Sequence, residues 1–196
     1  MMKPKDMGKI RKEMEKTLDK KRYEHTLGVA YTAAALAMCH GADLQQAQLA
    51  GILHDCAKCM DNDKKISLCK KHNISMTEVE RRNPFLLHAK VGSFLAMDKY
   101  GIKDKDVVNA ILNHTTGRPK MSQLEKIIYI ADYVEPNRRQ APNLSEVRRL
   151  AFQDLDKALL RILEDTLRYL NTIDGDIDPM TRQTYDYYKQ EADKRI

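Results

Sequence analysis

Apolar residues along this chain recur at intervals of three and four, the period of helices that bury one side. Ile10, Met14 and Leu18 form such a stripe in an otherwise charged helix expected over residues 5–20. A second helix, over residues 23–40, is apolar almost all round and is therefore expected at the centre, with Gly41 stopping it. Asp43 caps a third helix that carries Leu44, Ala47, Ala50, Gly51 and Leu53 up to the pair His54-Asp55. A short basic helix follows from Asp61 to about His72-Asn73, and Asn83-Pro84 breaks the chain before a helix over residues 86–100 that Gly101 ends.

Further on, Asp104 opens a helix over residues 107–114, and Thr115-Thr-Gly117-Arg-Pro119 reads as a turn. Ser122-Gln-Leu-Glu125 matches a capping box ahead of Ile127-Ile-Tyr-Ile-Ala-Asp132, and Pro136 closes that helix. A polar loop over residues 137–143 leads into one long helix over residues 145–170. Asp178-Pro179 then starts a last helix bearing Tyr185, Tyr187 and Tyr188. No strand-like alternation runs beyond a few residues and no repeat is present. The expected fold class is all-α, a single helical bundle of eight or nine helices over residues 1–196. Its core is expected at about 22–135, with C-terminal helices 145–192 packed on it.

Composition agrees with that picture and narrows it. With 196 residues the chain can bury a sizeable core, and 32% charged residues against 6% aromatics favour helices over sheets. No apolar run approaches the ~20 residues of a membrane span, and Met1-Met-Lys-Pro-Lys-Asp lacks the apolar core of an export signal, so no membrane partner and a cytoplasmic location are expected. A net charge of +6 suits a phosphate-bearing ligand, but the lysines and arginines are scattered as on solvated helix faces. Without an arginine-rich strip interleaved with aromatics, no nucleic-acid partner is expected. Cys39, Cys56, Cys59 and Cys69 are read as reduced thiols; Cys56-Ala-Lys-Cys59 has redox-motif spacing but neither a βαβ setting nor a second pair.

The histidines carry the chemistry. His40 and His72 stand at helix C-termini, where an imidazolium suits the helix dipole. His25, His54, His88 and His114 are placed differently, on or at the ends of apolar helices, together with Asp55 and Asp132. A carboxylate inside Ile128-Tyr-Ile-Ala-Asp132-Tyr-Val needs a partner when buried, and a shared metal ion provides one. Imidazole and carboxylate donors suit iron, manganese, cobalt or zinc, and four such ligands leave positions open for water or a phosphate oxygen.

The ordered set His25…His54-Asp55…Asp132 resembles the HD-domain superfamily of metal-dependent phosphohydrolases. The motifs Arg22-Tyr-Glu-His25-Thr, Gly51-Ile-Leu-His-Asp-Cys-Ala-Lys58, His114-Thr-Thr-Gly117 and Tyr129-Ile-Ala-Asp-Tyr-Val-Glu-Pro-Asn-Arg138 resemble the YqeK family, bacterial symmetrical dinucleoside-tetraphosphate hydrolases. The resemblance implies that His25, His54, Asp55 and Asp132 hold one iron-type ion, another divalent transition metal or a second ion being the alternatives. It implies Asp55, Lys58 and His114 as catalytic residues. It further implies that His25, Lys58, His88, His114, Thr115 and Arg138 meet the phosphates of a dinucleoside polyphosphate, with ADP as product, and that Leu170, Asn171, Asp174 and Gly175 meet the nucleoside. His88 and His114 have two readings, as ligands of a second ion bridged by Asp55 or as groups bonded to phosphate. Two positions depart from the family: Asp178 stands where His is expected and Asp186 where Asn is expected. Rival readings are another nucleotide phosphohydrolase, acting on deoxynucleotides or guanosine tetraphosphate, and a non-catalytic nucleotide- or RNA-binding regulator.

Overall fold

The computed structural model describes residues 4–173 and 176–194, and among these every regular element is helical. In chain order they are α1 (Pro4–Thr17), α2 (Lys20–His40), α3 (Leu44–Leu53), α4 (Asn62–Lys71), α5 (Glu78–Arg82), a 3-10 turn (Pro84–Leu87), α6 (His88–Asp98), α7 (Lys105–Asn113), α8 (Gln123–Val134), α9 (Leu144–Ala151), α10 (Leu155–Leu170) and α11 (Pro179–Asp193). None is long and apolar enough to cross a membrane.

Eleven α-helices among the described residues correct the expected eight or nine. One addition is α5, which Thr77 starts with a full capping box closed by Glu80; its five residues are too polar and too few to show periodicity. The other comes from a break in the stretch expected as one helix over 145–170. The chain turns at Phe152, and Asp154 accepts the backbone N–H groups of Asp156 and Lys157, so a new helix begins there. The expected caps at Asp43, Asp104, Ser122 and Asp178 all hold backbone N–H groups, and Gly41 and Gly101 take the left-handed backbone that ends a helix.

Helix α2 is the axle. Val29, Ala33, Leu36 and Ala37 are buried on it, and α3 and α8 pack along its length. The α2–α3 contact is unusually close, because a Cβ at Gly51 would stand 2.7 Å from the Ala30 Cα, so only glycine lets the two backbones meet there. Around this pair α7, α8 and α10 close one core through Ile111, Ile127, Ile130, Leu159, Ile162 and Leu163. A smaller cluster of Ala57, Cys69, Leu87 and Val91 fastens α4 and the 3-10 turn to α6. Burial of each leucine, isoleucine or valine among these contributes roughly 1.5–3 kcal/mol. The consequence for function is positional: the ends of α3, α7 and α8, the start of α6 and the second turn of α2 are held at one place.

Candidate metal centre and phosphate cleft

His54 and Asp55 lie just past α3, in a turn where Lys58 N–H returns to the Asp55 carbonyl at 2.8 Å, not inside the helix expected to reach them. That turn lets both side chains face inward, which adjacent helical positions do not. His88 opens α6, His114 follows α7, His25 lies in α2 and Asp132 in α8. The structure brings all six together. In each of three overlapping groups (His25, His54, Asp55; His54, His114, Asp132; Asp55, His88, His114) one ligand atom per residue lies within 4.8 Å of the others.

Every imidazole in the cluster has its Nδ1 engaged away from the centre. Those of His54, His88 and His114 stand 2.7 Å from the carbonyls of Gly51, Phe85 and Ile111, to which they donate. His25 donates its Nδ1–H to Glu135 Oε1 at 3.1 Å. With that tautomer the four Nε2 atoms carry lone pairs, and they converge. His88 Nε2 and His114 Nε2 are 3.1 Å apart. Asp55 divides its oxygens: Oδ2 lies 3.4 Å from His54 Nε2 and 3.9 Å from His25 Nε2, and Oδ1 lies 3.4 Å from His88 Nε2 and 3.6 Å from His114 Nε2. His25 Nε2 is 3.0 Å from Asp132 Oδ1, but in that tautomer both atoms are acceptors and no hydrogen bond joins them. The buried atoms His25 Nε2, His54 Nε2 and Asp55 Oδ1 thus have no hydrogen-bond partner. Buried acceptors left facing one another are costly, and a divalent cation among them would satisfy all of them at once. The donor set therefore fits a transition-metal ion, with the borderline-to-hard character expected of iron, manganese, cobalt or zinc.

Electrostatics prepare the carboxylates for that role. Burial alone would raise the Asp55 carboxyl, but His54 and His114 when protonated override it and hold the group well below the usual carboxylate range. Burial likewise opposes ionisation of Asp132, and His25 and His54 when protonated, together with Arg138, hold it far down. The His88 imidazole is driven well below its ordinary range by burial, His114 and Lys58, which keeps its lone pair available.

Above this floor opens a cleft of about 280 Å³. Arg22, Lys58, Thr115 and Arg138 line it, with Tyr129, Tyr133, Ile162 and Thr166 as walls. Arg22 donates to Asp55 Oδ2 at 2.8 Å, Lys58 Nζ donates to His88 Nε2 at 3.2 Å, and Arg138 reaches Asp132 Oδ1 at 3.0 Å. Thr115 Oγ1 stands 3.2 Å from both His88 Nε2 and His114 Nε2. Burial lowers the Lys58 ammonium from its ordinary value, more than nearby Asp55 restores it.

Eleven of the thirteen residues singled out from the sequence fall within the described parts. His25, His54, Asp55, Lys58, His88, His114, Thr115, Asp132 and Arg138 are gathered at the floor or lining of the cleft. Leu170 ends α10 and Asn171 is exposed beyond it; neither lines the cleft, whereas Thr166, one turn earlier, does. Asp174 and Gly175 lie outside the described residues. Sequence reasoning gave no role to Arg22 and Glu135. Arg22 lies three residues before His25, and Glu135 three after Asp132, the spacing that puts side chains on one helix face, so the signal was present.

The sequence model of the HD domain matches residues 22–137. Over 178 residues the chain is 43% identical to a "Bis(5'-nucleosyl)-tetraphosphatase, symmetrical" of Halalkalibacterium halodurans, covering 91% of this chain and 94% of that protein. It is 39% identical to the Bacillus subtilis protein of the same name, covering 89% and 92%. A crystal structure described as a predicted HD superfamily hydrolase involved in NAD metabolism, from Clostridium acetobutylicum, superposes with a TM-score of 0.90 at 41% identity, covering 94% of this chain and 97% of that one.

Proposed function

The chain belongs to the HD-domain family, and from that premise we propose that it is a metal-dependent hydrolase that splits dinucleoside tetraphosphates symmetrically, diadenosine tetraphosphate and water giving two ADP. The observation that carries the reading is the convergence of orphaned Nε2 and carboxylate acceptors beneath a cleft rimmed by Arg22, Lys58 and Arg138. His25, His54, Asp55 and Asp132 would hold an iron or similar divalent ion. Such an ion, when bound, makes water more acidic and neutralises phosphoryl oxygens.

The side chains of the rim do the remainder. Lys58 and Arg138 would bind the non-bridging oxygens of the central phosphates, and Arg22 would turn from Asp55 to the same chain. Their cationic heads already stand at the cleft on carboxylates or an imidazole, so a polyanion finds them oriented. Thr115 would donate its hydroxyl proton to a phosphate oxygen, and His114 would meet the oxygen of the departing ADP. That anion is stable, so the reaction asks little of a general acid. The nucleoside would run along α10 from Thr166 toward Leu170 and Asn171. A cytoplasmic location and a single-domain organisation are part of the same reading.

A second reading has its own observation. Asp55 gives one oxygen to each half of the cluster, and Asp55, His88 and His114 form a ligand group by themselves, so a second ion bridged by Asp55 is the alternative to phosphate contacts from the two histidines. Metal content of one or two equivalents per chain separates the two. The function itself is tested by incubating the metal-loaded protein with diadenosine tetraphosphate and resolving the nucleotides. ADP as the only product supports the proposal; ATP plus AMP, or no turnover with any loaded ion, overturns it.

A further inference from the structure

Three of the four imidazoles have their Nδ1 held by a main-chain carbonyl. His54 and His114 follow the last turns of α3 and α7, where Gly51 and Ile111 belong to the terminal carbonyls that a helix leaves without partners. His88 uses the carbonyl of Phe85 in the 3-10 turn. His25 has no such resource. It lies in the second turn of a 21-residue helix, where the carbonyl three residues back is already committed to the helical ladder. Its Nδ1–H must be fixed by another element, and the group that meets it is Glu135, at the C-terminal end of α8.

We propose that Glu135 is the positioning residue for His25, and that Gly28 admits it by leaving α2 bare beside its carboxylate. Glu135 is 1% exposed, yet both of its oxygens are engaged, Oε1 by His25 Nδ1–H at 3.1 Å and Oε2 by the Asn137 backbone N–H at 2.7 Å. Two donors face the two oxygens, so a carboxylate satisfies both and a carboxamide only one. Gly28 lies three residues after His25 on the same face of α2, and a Cβ there would overlap Glu135 Oε2. The backbone under Glu135 is also fixed: Arg148 donates to the carbonyls of Val134, Glu135 and Arg138 at 2.9, 3.0 and 2.9 Å. One arginine of α9 thereby holds together the residue that aims His25 and the residue at the phosphate rim. Partners of this kind, one bond removed from a metal, are typically worth 10- to 100-fold in metal affinity.

The inference rests on the metal-site reading above, and its test uses Co²⁺ binding to the full chain, followed by titration and by the visible spectrum of the bound ion. The expected result for Glu135→Gln is a ~10- to 100-fold weaker affinity with an altered spectrum, and activity restored by excess metal. Gly28→Ala keeps the carboxylate and adds a residue favourable to helices, so it displaces Glu135 without threatening the fold; the same weakening is expected. In a His25→Ala background, Glu135→Gln should cost no further affinity, which a merely structural role would not predict. Wild-type affinity in both single variants, or an equal further loss in the His25→Ala background, overturns the inference. Failure of the wild-type protein itself to bind Co²⁺ overturns the metal-site reading instead, so the two failures are distinct.

Discussion

The floor and the rim of the cleft are built by different means. On the floor, His54, His88 and His114 are buried and tied to main-chain carbonyls, and Asp55 is enclosed among them. At the rim, Arg22, Lys58 and Arg138 remain partly or largely exposed, and each leans on a floor residue: Asp55, His88 and Asp132 respectively. The floor is therefore fixed by backbone geometry, and its groups have nowhere else to go. The rim is held by exchangeable contacts, so its cations can leave one partner for another. The comparison teaches a division of labour: the floor has the rigidity an ion-binding site needs, and the rim has the mobility that polyphosphate capture needs.

The largest expected effect breaks the floor. Asp55→Ala removes the carboxylate shared by both halves of the cluster and should abolish metal binding, with turnover falling about 10³-fold or more, the several kcal/mol that a bound cation contributes. Helical circular dichroism should persist. Chelation should lower the melting temperature of the wild-type protein, since an ion at 100 times its dissociation constant contributes about 2.7 kcal/mol, and should leave Asp55→Ala unmoved. Full metal occupancy in the variant would sink the assignment.

A rim substitution should behave otherwise. Arg138→Ala should keep its metal and lose ~10- to 150-fold in kcat/KM, because a charge-assisted contact to phosphate is worth roughly 1.5–3 kcal/mol. Loss of the metal in this variant would erase the distinction between floor and rim, and wild-type kinetics would remove the phosphate contact. The smallest effect lies farthest out. Asn171→Ala should raise KM by roughly 2- to 12-fold, the range of one neutral hydrogen bond, with kcat unchanged. No change in KM would end the nucleoside path at Thr166.

The same contrast explains what could be read from the residues alone. Caps are local, so Asp43, Asp104, Ser122 and Asp178 announced their helices, and Gly41 and Gly101 their ends. The floor was legible because its residue types are costly to bury singly and occur together on apolar segments. Less visible were the features that depend on who faces whom. Glu135 and Arg22 look like ordinary surface charges until α2 is laid beside the end of α8 and the turn after α3. The break at Phe152–Asp154 was hidden because the apolar stripe continues across it on both α9 and α10. Helix α5 was missed although Thr77-Glu-Val-Glu80 spells its capping box, since five residues bury too little to draw notice.

The contact of Gly51 with Ala30 reaches beyond core packing. Ala30 follows His25 by five residues on α2, and Gly51 precedes His54 by three. The separation of His25 and His54 is thus set where one backbone rests on another, at a contact with no room for even one Cβ. Tightening that spacing would press one backbone into the other, and widening it would open the packed contact between α2 and α3. Under the proposed reading the spacing would sort cations by ionic radius, favouring ions that bind nitrogen and oxygen at about 2.0–2.2 Å over calcium, which asks for about 2.3–2.6 Å.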